Sequence, residues 1–311
     1  MTPARRPTNL AASVRARLTD LARRQGLEFQ LVLSDFAIER LLYRLGASRH
    51  ADRFVLKGAK LFKLWSGDRR RATWDLDLLG RGASAIAPVV EVIRELGAMP
   101  GEDGIAFDLD SIRGEQIRAD EEYAGVRVRL EAHLAEARIP LQVDVGFGDV
   151  VVPAPVPVDY PTLLDHPAPR ILAYPREAVV AEKFEALIAL GVTNSRMKDF
   201  HDVHVLASTL AFRGASLAAA IRATFERRGT RLPEGEPFVL SRAFLGAPER
   251  LAQWRAFLRR ARLDGPDDAG ALAESLLRFL GPVVSAVARG HAFEAEWSPP
   301  GPWSDHPRSP A

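Results

Sequence analysis

At 311 residues and 47% hydrophobic content, the chain is long enough to bury one large core or two medium ones. The absence of cysteine excludes disulfides and thiolate metal sites, so any metal must be held by oxygen or imidazole ligands, which favours hard cations such as Mg²⁺. A net charge of +2 admits a nucleotide or nucleic-acid partner without demanding one. No run of about 20 uninterrupted apolar residues stands out, and MTPARRPTNLAASVRARLTDLARR carries arginines where a signal peptide has its apolar segment. The expectation is a cytoplasmic protein with no membrane partner.

In chain order, residues 1–50 read as two helices, with Leu10, Val14, Leu18 and Leu21 and then Leu31, Phe36, Ile38, Leu41 and Leu42 at helical spacing. RFVLKG then reads as a strand ending at Gly58, AKLFKLW as a short helix, and ATWDLDLLG as a second strand reached through an arginine loop. SAIAPVVEVIRELGA is helical, with Pro88 in the first turn. GIAFDLDSIRGEQIR, GVRVRLEAHL and IPLQVDVGFGD are extended, the second with clear period-two alternation. Residues 51–150 thus predict a mixed α/β core with about five strands and flanking helices.

Residues 151–175 are dense in proline, which argues against a helix or central strand and suggests a linker. A helical domain over 176–290 and an irregular tail over 291–311 complete the expected organisation.

The chemistry concentrates on a few acids and lysines. On a strand, residues two apart share a face, so Asp75 and Asp77 present adjacent carboxylates while Trp74, Leu76 and Leu78 face away. Such a pair is stable on a wet face or around a cation. Asp144 interrupts an apolar strand, LQVDVGFG, where an unpaired buried carboxylate would cost several kcal/mol. If that strand lies beside the first, three carboxylates converge to hold Mg²⁺ for phosphoryl transfer. Asp108 and Asp110 form a second DxD, read as a solvated face.

The only lysines are Lys57, Lys60, Lys63, Lys183 and Lys198, so they are candidates for positions needing a compact ammonium rather than a guanidinium. Gly58, with Lys57 and Lys60 beside it, sits at a strand-to-helix turn able to meet a phosphate. Lys183 shares a helical stripe with Val179, Val180 and Leu187, and Asp199 and Asp202 lie one turn apart on the next helix. A Lys–Asp pair between these helices serves either structure or nucleotide binding. His201 and His204, at i and i+3, lack a clear third metal ligand.

Taken together, VLKGAKLFKLWSGDRRRATWDLDLL, LQVDVGFG and YPREAVVAEKFEALIALGVTNSRMKDFHDVHVL resemble the nucleotidyltransferases of the AbiEii/AbiGii toxin family, the toxin half of type IV toxin–antitoxin systems. The likeness covers about residues 30 to 210. Family motifs read KGG-T-L, R-x-T-x-D-[LI]-D and AEK…RxKDxxD. By resemblance, Gly58 belongs to the phosphate-binding turn, Arg71, Thr73, Asp75 and Asp77 match the second motif, and Asp144 is the third acid. Lys183 with Asp199 or Asp202 corresponds to the downstream nucleotide-contacting pair. The chain departs at Ala59 and Lys60, where the family carries Gly and a small hydroxyl residue.

The resemblance implies transfer of a nucleoside monophosphate from an NTP, with a tRNA acceptor and a cognate antitoxin encoded nearby. The expected assignment has Asp75, Asp77 and Asp144 binding Mg²⁺, Asp144 also helping to deprotonate the acceptor, and Lys183 binding the triphosphate. Lys60, Arg71, Thr73, Asp199 and Asp202 join Gly58 as nucleotide-binding candidates. The alternatives are a small-molecule nucleotidyltransferase of the antibiotic-modifying kind and a catalytically silent binding module.

Overall fold

The computed structural model describes residues 9–65, 73–118, 124–266 and 268–305. Two compact units are present, and each is taken by itself.

The first unit opens with helices α1 (Leu10–Gln25) and α2 (Phe29–Gly46). Asn9 caps α1 by accepting a hydrogen bond from the Ala12 amide, and Gly26 ends it in the left-handed conformation that L residues resist. Strand β1 (Phe54–Lys57) and the short helix α3 (Phe62–Trp65) follow. Next come β2 (Asp75–Gly80), α4 (Ile86–Ala98), β3 (Ile105–Arg118), β4 (Ala124–Leu134), β5 (Ala137–Phe147), β6 (Val156–Asp159) and β7 (Arg170–Ala173).

These strands make one mixed sheet in the order β3-β4-β5-β2-β1-β7-β6. The β2–β5 and β1–β7 pairs are parallel, and the rest are antiparallel. The sheet is larger than the five strands expected, because the proline-dense segment supplies two. Pro157 lies in β6, an edge strand where a missing N–H costs no ladder bond, and β7 itself contains no proline.

Helices α1, α2 and α4 cover one face of the sheet. Gly114 locates that face, since a Cβ there would meet Val90 and Ile86 of α4 at 2.5 and 2.6 Å. Register carries it across the row Gly114, Val128, Val143 and Leu76, of which the last three are fully buried. Residues one step along each strand therefore point to the opposite face.

Helix α2 is buried nearly all round, and its charged residues are matched inside the unit. Arg44 binds Asp103 at 2.7 Å, Arg40 binds Glu39 at 2.9 Å, and the Leu163 amide donates to Glu39 at 2.7 Å. Burial pushes the Glu39 carboxyl above its ordinary pKa despite Lys63 and Arg40 nearby.

The second unit contains α5 (Arg176–Leu190), α6 (Met197–Thr209), β8 (Phe212–Arg213), α7 (Gly214–Arg227), α8 (Arg242–Leu245), α9 (Pro248–Ala261) and α10 (Ala269–Ala288). The segment expected to be irregular contributes β9 (Glu296–Trp297) and β10 (Trp303–Ser304), which join β8 in a small antiparallel sheet. Stacking of Trp303 on Phe279, with ring centroids 5.7 Å apart, ties that sheet to α10. Among the described residues α10 is the one helix long and apolar enough to cross a membrane, and its Leu272, Leu276, Phe279, Leu280 and Val283 are buried inside the unit.

Candidate active site

The face of the large sheet opposite the α4-covered one carries the acids. Parallel pairing of β2 with β5 sets Asp77 directly beside Asp144 and Asp75 beside Gln142. All four side chains lie opposite the buried Leu76, Leu78, Val143 and Val145, so three carboxylates share one surface of two adjacent strands. Neighbouring strands run about 4.8 Å apart, close enough for the acids to repel strongly.

The flanking strands answer that repulsion. β1 sets Lys57 opposite Asp77, and β4 sets Arg127 opposite Asp144, giving a row of cation, acid, acid, cation across β1, β2, β5 and β4. Arg127 grips Asp144 with both prongs, Nε to Oδ1 at 2.8 Å and Nη2 to Oδ2 at 2.7 Å. Gln142 Nε2 donates to the same Oδ2 at 3.3 Å. The hydrogen bond to Asp144 is the main force holding the Arg127 pKa above its ordinary value, with further help from the charges of Asp144 and Asp75. Asp144 is thus turned toward β4 while Asp75 and Asp77 project from β2.

Gly58 supports Asp77 from below. Its backbone has φ +71°, and a Cβ there would lie 2.1 Å from Asp77 Oδ2, so only glycine leaves the carboxylate where it is. Lys60 points elsewhere: it is 1% exposed, ion-paired to Asp35 of α2, and donates to the Thr73 carbonyl at 2.8 Å. The lysine therefore pins the start of β2 to α2. Thr73 enters this arrangement through its backbone, and Arg71 lies outside the described residues.

The second DxD is explained locally. Asp108 Oδ1 accepts from the amides of Asp110 and Ser111 at 3.0 and 3.3 Å, within the register shift of edge strand β3.

In the second unit, Lys183 emerges from the buried stripe of Val179, Val180 and Leu187, as its spacing on α5 predicts. Its ammonium lies 2.8 Å from Asp199 Oδ1 and 2.7 Å from Asp202 Oδ2, both on α6. Arg196 adds a contact to Asp199 Oδ2 at 2.9 Å. Burial alone would lower the Lys183 pKa, but Asp202 and Asp199 outweigh it and hold the value above the ordinary lysine range. His201 meets the Asp264 carbonyl at 3.2 Å and His204 meets Ser275 Oγ at 2.9 Å, so neither histidine turns toward a shared ligand. Arg228 draws Glu185 (2.7 Å), Asp149 (3.1 Å) and Glu182 (3.7 Å) into a separate ionic cluster.

Whether the acids suit a hard divalent cation can be judged from the donor set. Asp75 and Asp77 offer oxygen ligands on one strand face, and Mg²⁺ is commonly held by one or two carboxylates with water and phosphate oxygens completing the shell. Asp144 stands next to them with both oxygens engaged by Arg127. Among the described residues no three His, Asp or Glu side chains converge into a ready-made metal cage. Asp75 and Asp77 therefore fit a hard cation whose remaining ligands are water and substrate oxygens.

Two participants escape sequence reading. Arg127 is visible only as one arginine in an alternating strand, and Asp35 as one acid in an apolar helix; their partners become evident once register and packing are known.

Three comparisons bear on identity. No curated protein matches the chain. Among solved structures, JHP933 from Helicobacter pylori is similar over 85% of this chain and 94% of its own, at 14% identity and a TM-score of 0.46. A second H. pylori structure, whose name assigns it provisionally to the nucleotidyltransferases, is similar over 85% of this chain and 97% of its own, at 14% identity and a TM-score of 0.43. A family model described as the nucleotidyl transferase AbiEii toxin of type IV toxin–antitoxin systems matches residues 40–282, which span both units. The chain belongs to that AbiEii family and is a nucleotidyltransferase toxin.

Proposed function

We propose that this nucleotidyltransferase is Mg²⁺-dependent and transfers a nucleoside monophosphate from an NTP to an acceptor hydroxyl, with tRNA as the acceptor. The observation that carries the reading is the register of β2 on β5, which stands Asp77 beside Asp144 with Asp75 on the same face. In the reaction the acceptor oxygen bonds to the α-phosphorus, the bond to the bridging oxygen breaks, and pyrophosphate leaves; the hydroxyl proton passes to a base or to water. When bound, Mg²⁺ would neutralise triphosphate charge and polarise the α-phosphoryl group.

Asp75 and Asp77 are the proposed metal ligands, held on a strand whose other face is locked in the core. Gly58 keeps the floor beneath Asp77 clear. Asp144 is the proposed third acid, held toward β4 by Arg127. Lys60 acts from below the surface by anchoring Thr73, and so bears on the nucleotide through the position of β2. Lys183 is proposed as a triphosphate contact oriented by Asp199 and Asp202, in line with the family motif. The family description implies a cognate antitoxin as partner, and the cytoplasm is the proposed site of action.

The test is to incubate the purified protein with each labelled NTP, total RNA and Mg²⁺, with Asp77→Ala and EDTA as controls. Label transfer to tRNA that both controls abolish is the expected result. Transfer to a small acceptor with RNA unlabelled would replace the acceptor assignment, and Mg²⁺-independent transfer would remove the metal assignment.

A further inference from the structure

The two-pronged grip of Arg127 on Asp144 works against the metal role proposed for that acid. A buried structural pair would explain it if both groups were sealed in, yet the Arg127 and Asp144 side chains are 29% and 17% exposed on the face that carries Asp75 and Asp77. Arg127 sits at the end of a four-strand row, so its charge falls on the far side of Asp144 from Asp77.

Two consequences follow for a cation approaching this face. A guanidinium that satisfies both oxygens of a carboxylate fixes its orientation, and here the orientation is toward β4 rather than β2. A fixed positive charge beside the carboxylate also repels a second cation at the same oxygens. With Arg127 on both oxygens only their remaining lone pairs face a metal, so Asp144 joins a metal shell more strongly once Arg127 lets go. The group best suited to draw it away is another fork-compatible anion, and the phosphate oxygens of a triphosphate have that chemistry.

We infer that Arg127 is a positioning residue that withholds Asp144 from divalent cation until a nucleoside triphosphate competes for its guanidinium. Asp144 then contributes fully to the metal centre only with nucleotide present. This inference rests on the proposed metal role of the aspartates. Arg129, one row away and paired with Glu115 at 2.9 Å, supplies a matched control arginine on the same face.

The experiment measures Mn²⁺ binding to the full chain by calorimetry, first without nucleotide and then with a non-hydrolysable NTP analogue. Arg127→Met should tighten nucleotide-free Mn²⁺ binding by about tenfold, the scale of removing one partly screened charge beside a ligand. Arg129→Met should leave it unchanged, and adding Asp144→Asn to Arg127→Met should erase the gain. With the analogue saturating both proteins, wild type and Arg127→Met should bind Mn²⁺ alike. Arg127→Lys, which keeps the charge without the fork, provides a second variant and should fall between the two. Equal or weaker nucleotide-free binding in Arg127→Met and Arg127→Lys would overturn the inference. Undiminished Mn²⁺–analogue binding in Asp77→Ala would overturn the metal assignment itself, whatever the Arg127 variants do.

Discussion

Gly58 and Asp77 occupy nearly the same space: a single methyl added to Gly58 would lie 2.1 Å from the Asp77 carboxylate oxygen. The turn and the acid are therefore one unit. Substitution at Gly58 is strained twice over, because φ is +71° and because Asp77 must move.

Gly58→Ala should cost about 1–2 kcal/mol of stability from backbone strain. Its effect on nucleotidyl transfer should be larger, about 100-fold, since shifting a reacting group by about 1 Å carries that cost. Thermal unfolding and transfer assays on one preparation check both parts. An active Gly58→Ala enzyme with a normal melting temperature would show that Asp77 need not stay where it is.

Lys60 and Asp35 form a buried ion pair that fastens β2 to α2. Removing one partner leaves a buried charge, so Lys60→Met or Asp35→Asn should each destabilise by about 3–5 kcal/mol. The double replacement should cost much less than the sum, because both members of the pair are then neutral. Urea unfolding of the single and double variants forms the cycle. Additive losses would mean that the two side chains act independently.

Lys183 neutralises two carboxylates that are each only 2% exposed as residues. Lys183→Met should destabilise the second unit by about 3–5 kcal/mol, with Arg196 still compensating part of the Asp199 charge. Adding Asp202→Asn should recover part of the loss, as read from denaturant midpoints. The raised pKa of Lys183 sets the pH sense: its contribution is complete below the ordinary lysine value and disappears only as pH climbs through the higher folded value. Stability from this site should therefore be flat across neutral pH and fail in alkali.

His204 predicts the opposite edge of the pH range. Burial, reinforced by His201, pushes its pKa down to about 4 from 6.5. The unfolded chain then binds the proton first, so stability is complete above about pH 6.5 and declines as pH falls toward 4. The loss attributable to His204 should be about 2 kcal/mol, allowing for its partial exposure. Comparing wild type with His204→Asn at several pH values isolates it, and identical acid profiles for the two would count against a neutral buried histidine.

Local pattern alone was enough to reveal the long helices, the three long strands and the shared face of Asp75 and Asp77, because 3.6- and 2-residue periodicities are written into neighbouring residues. It also placed Lys183 on an apolar stripe and Asp199 and Asp202 one turn apart, while the contact between them came from the packing. What tertiary structure alone decided is which strands are neighbours and in what register, since those hydrogen bonds join segments far apart in the chain. That choice stands Asp144 beside Asp77, brings Arg127 onto Asp144, buries Lys60 against Asp35, and turns part of a proline-rich stretch into two strands of the sheet. A lysine or arginine looks the same in sequence whether it meets a phosphate or a carboxylate, and only the packing around it distinguishes the two.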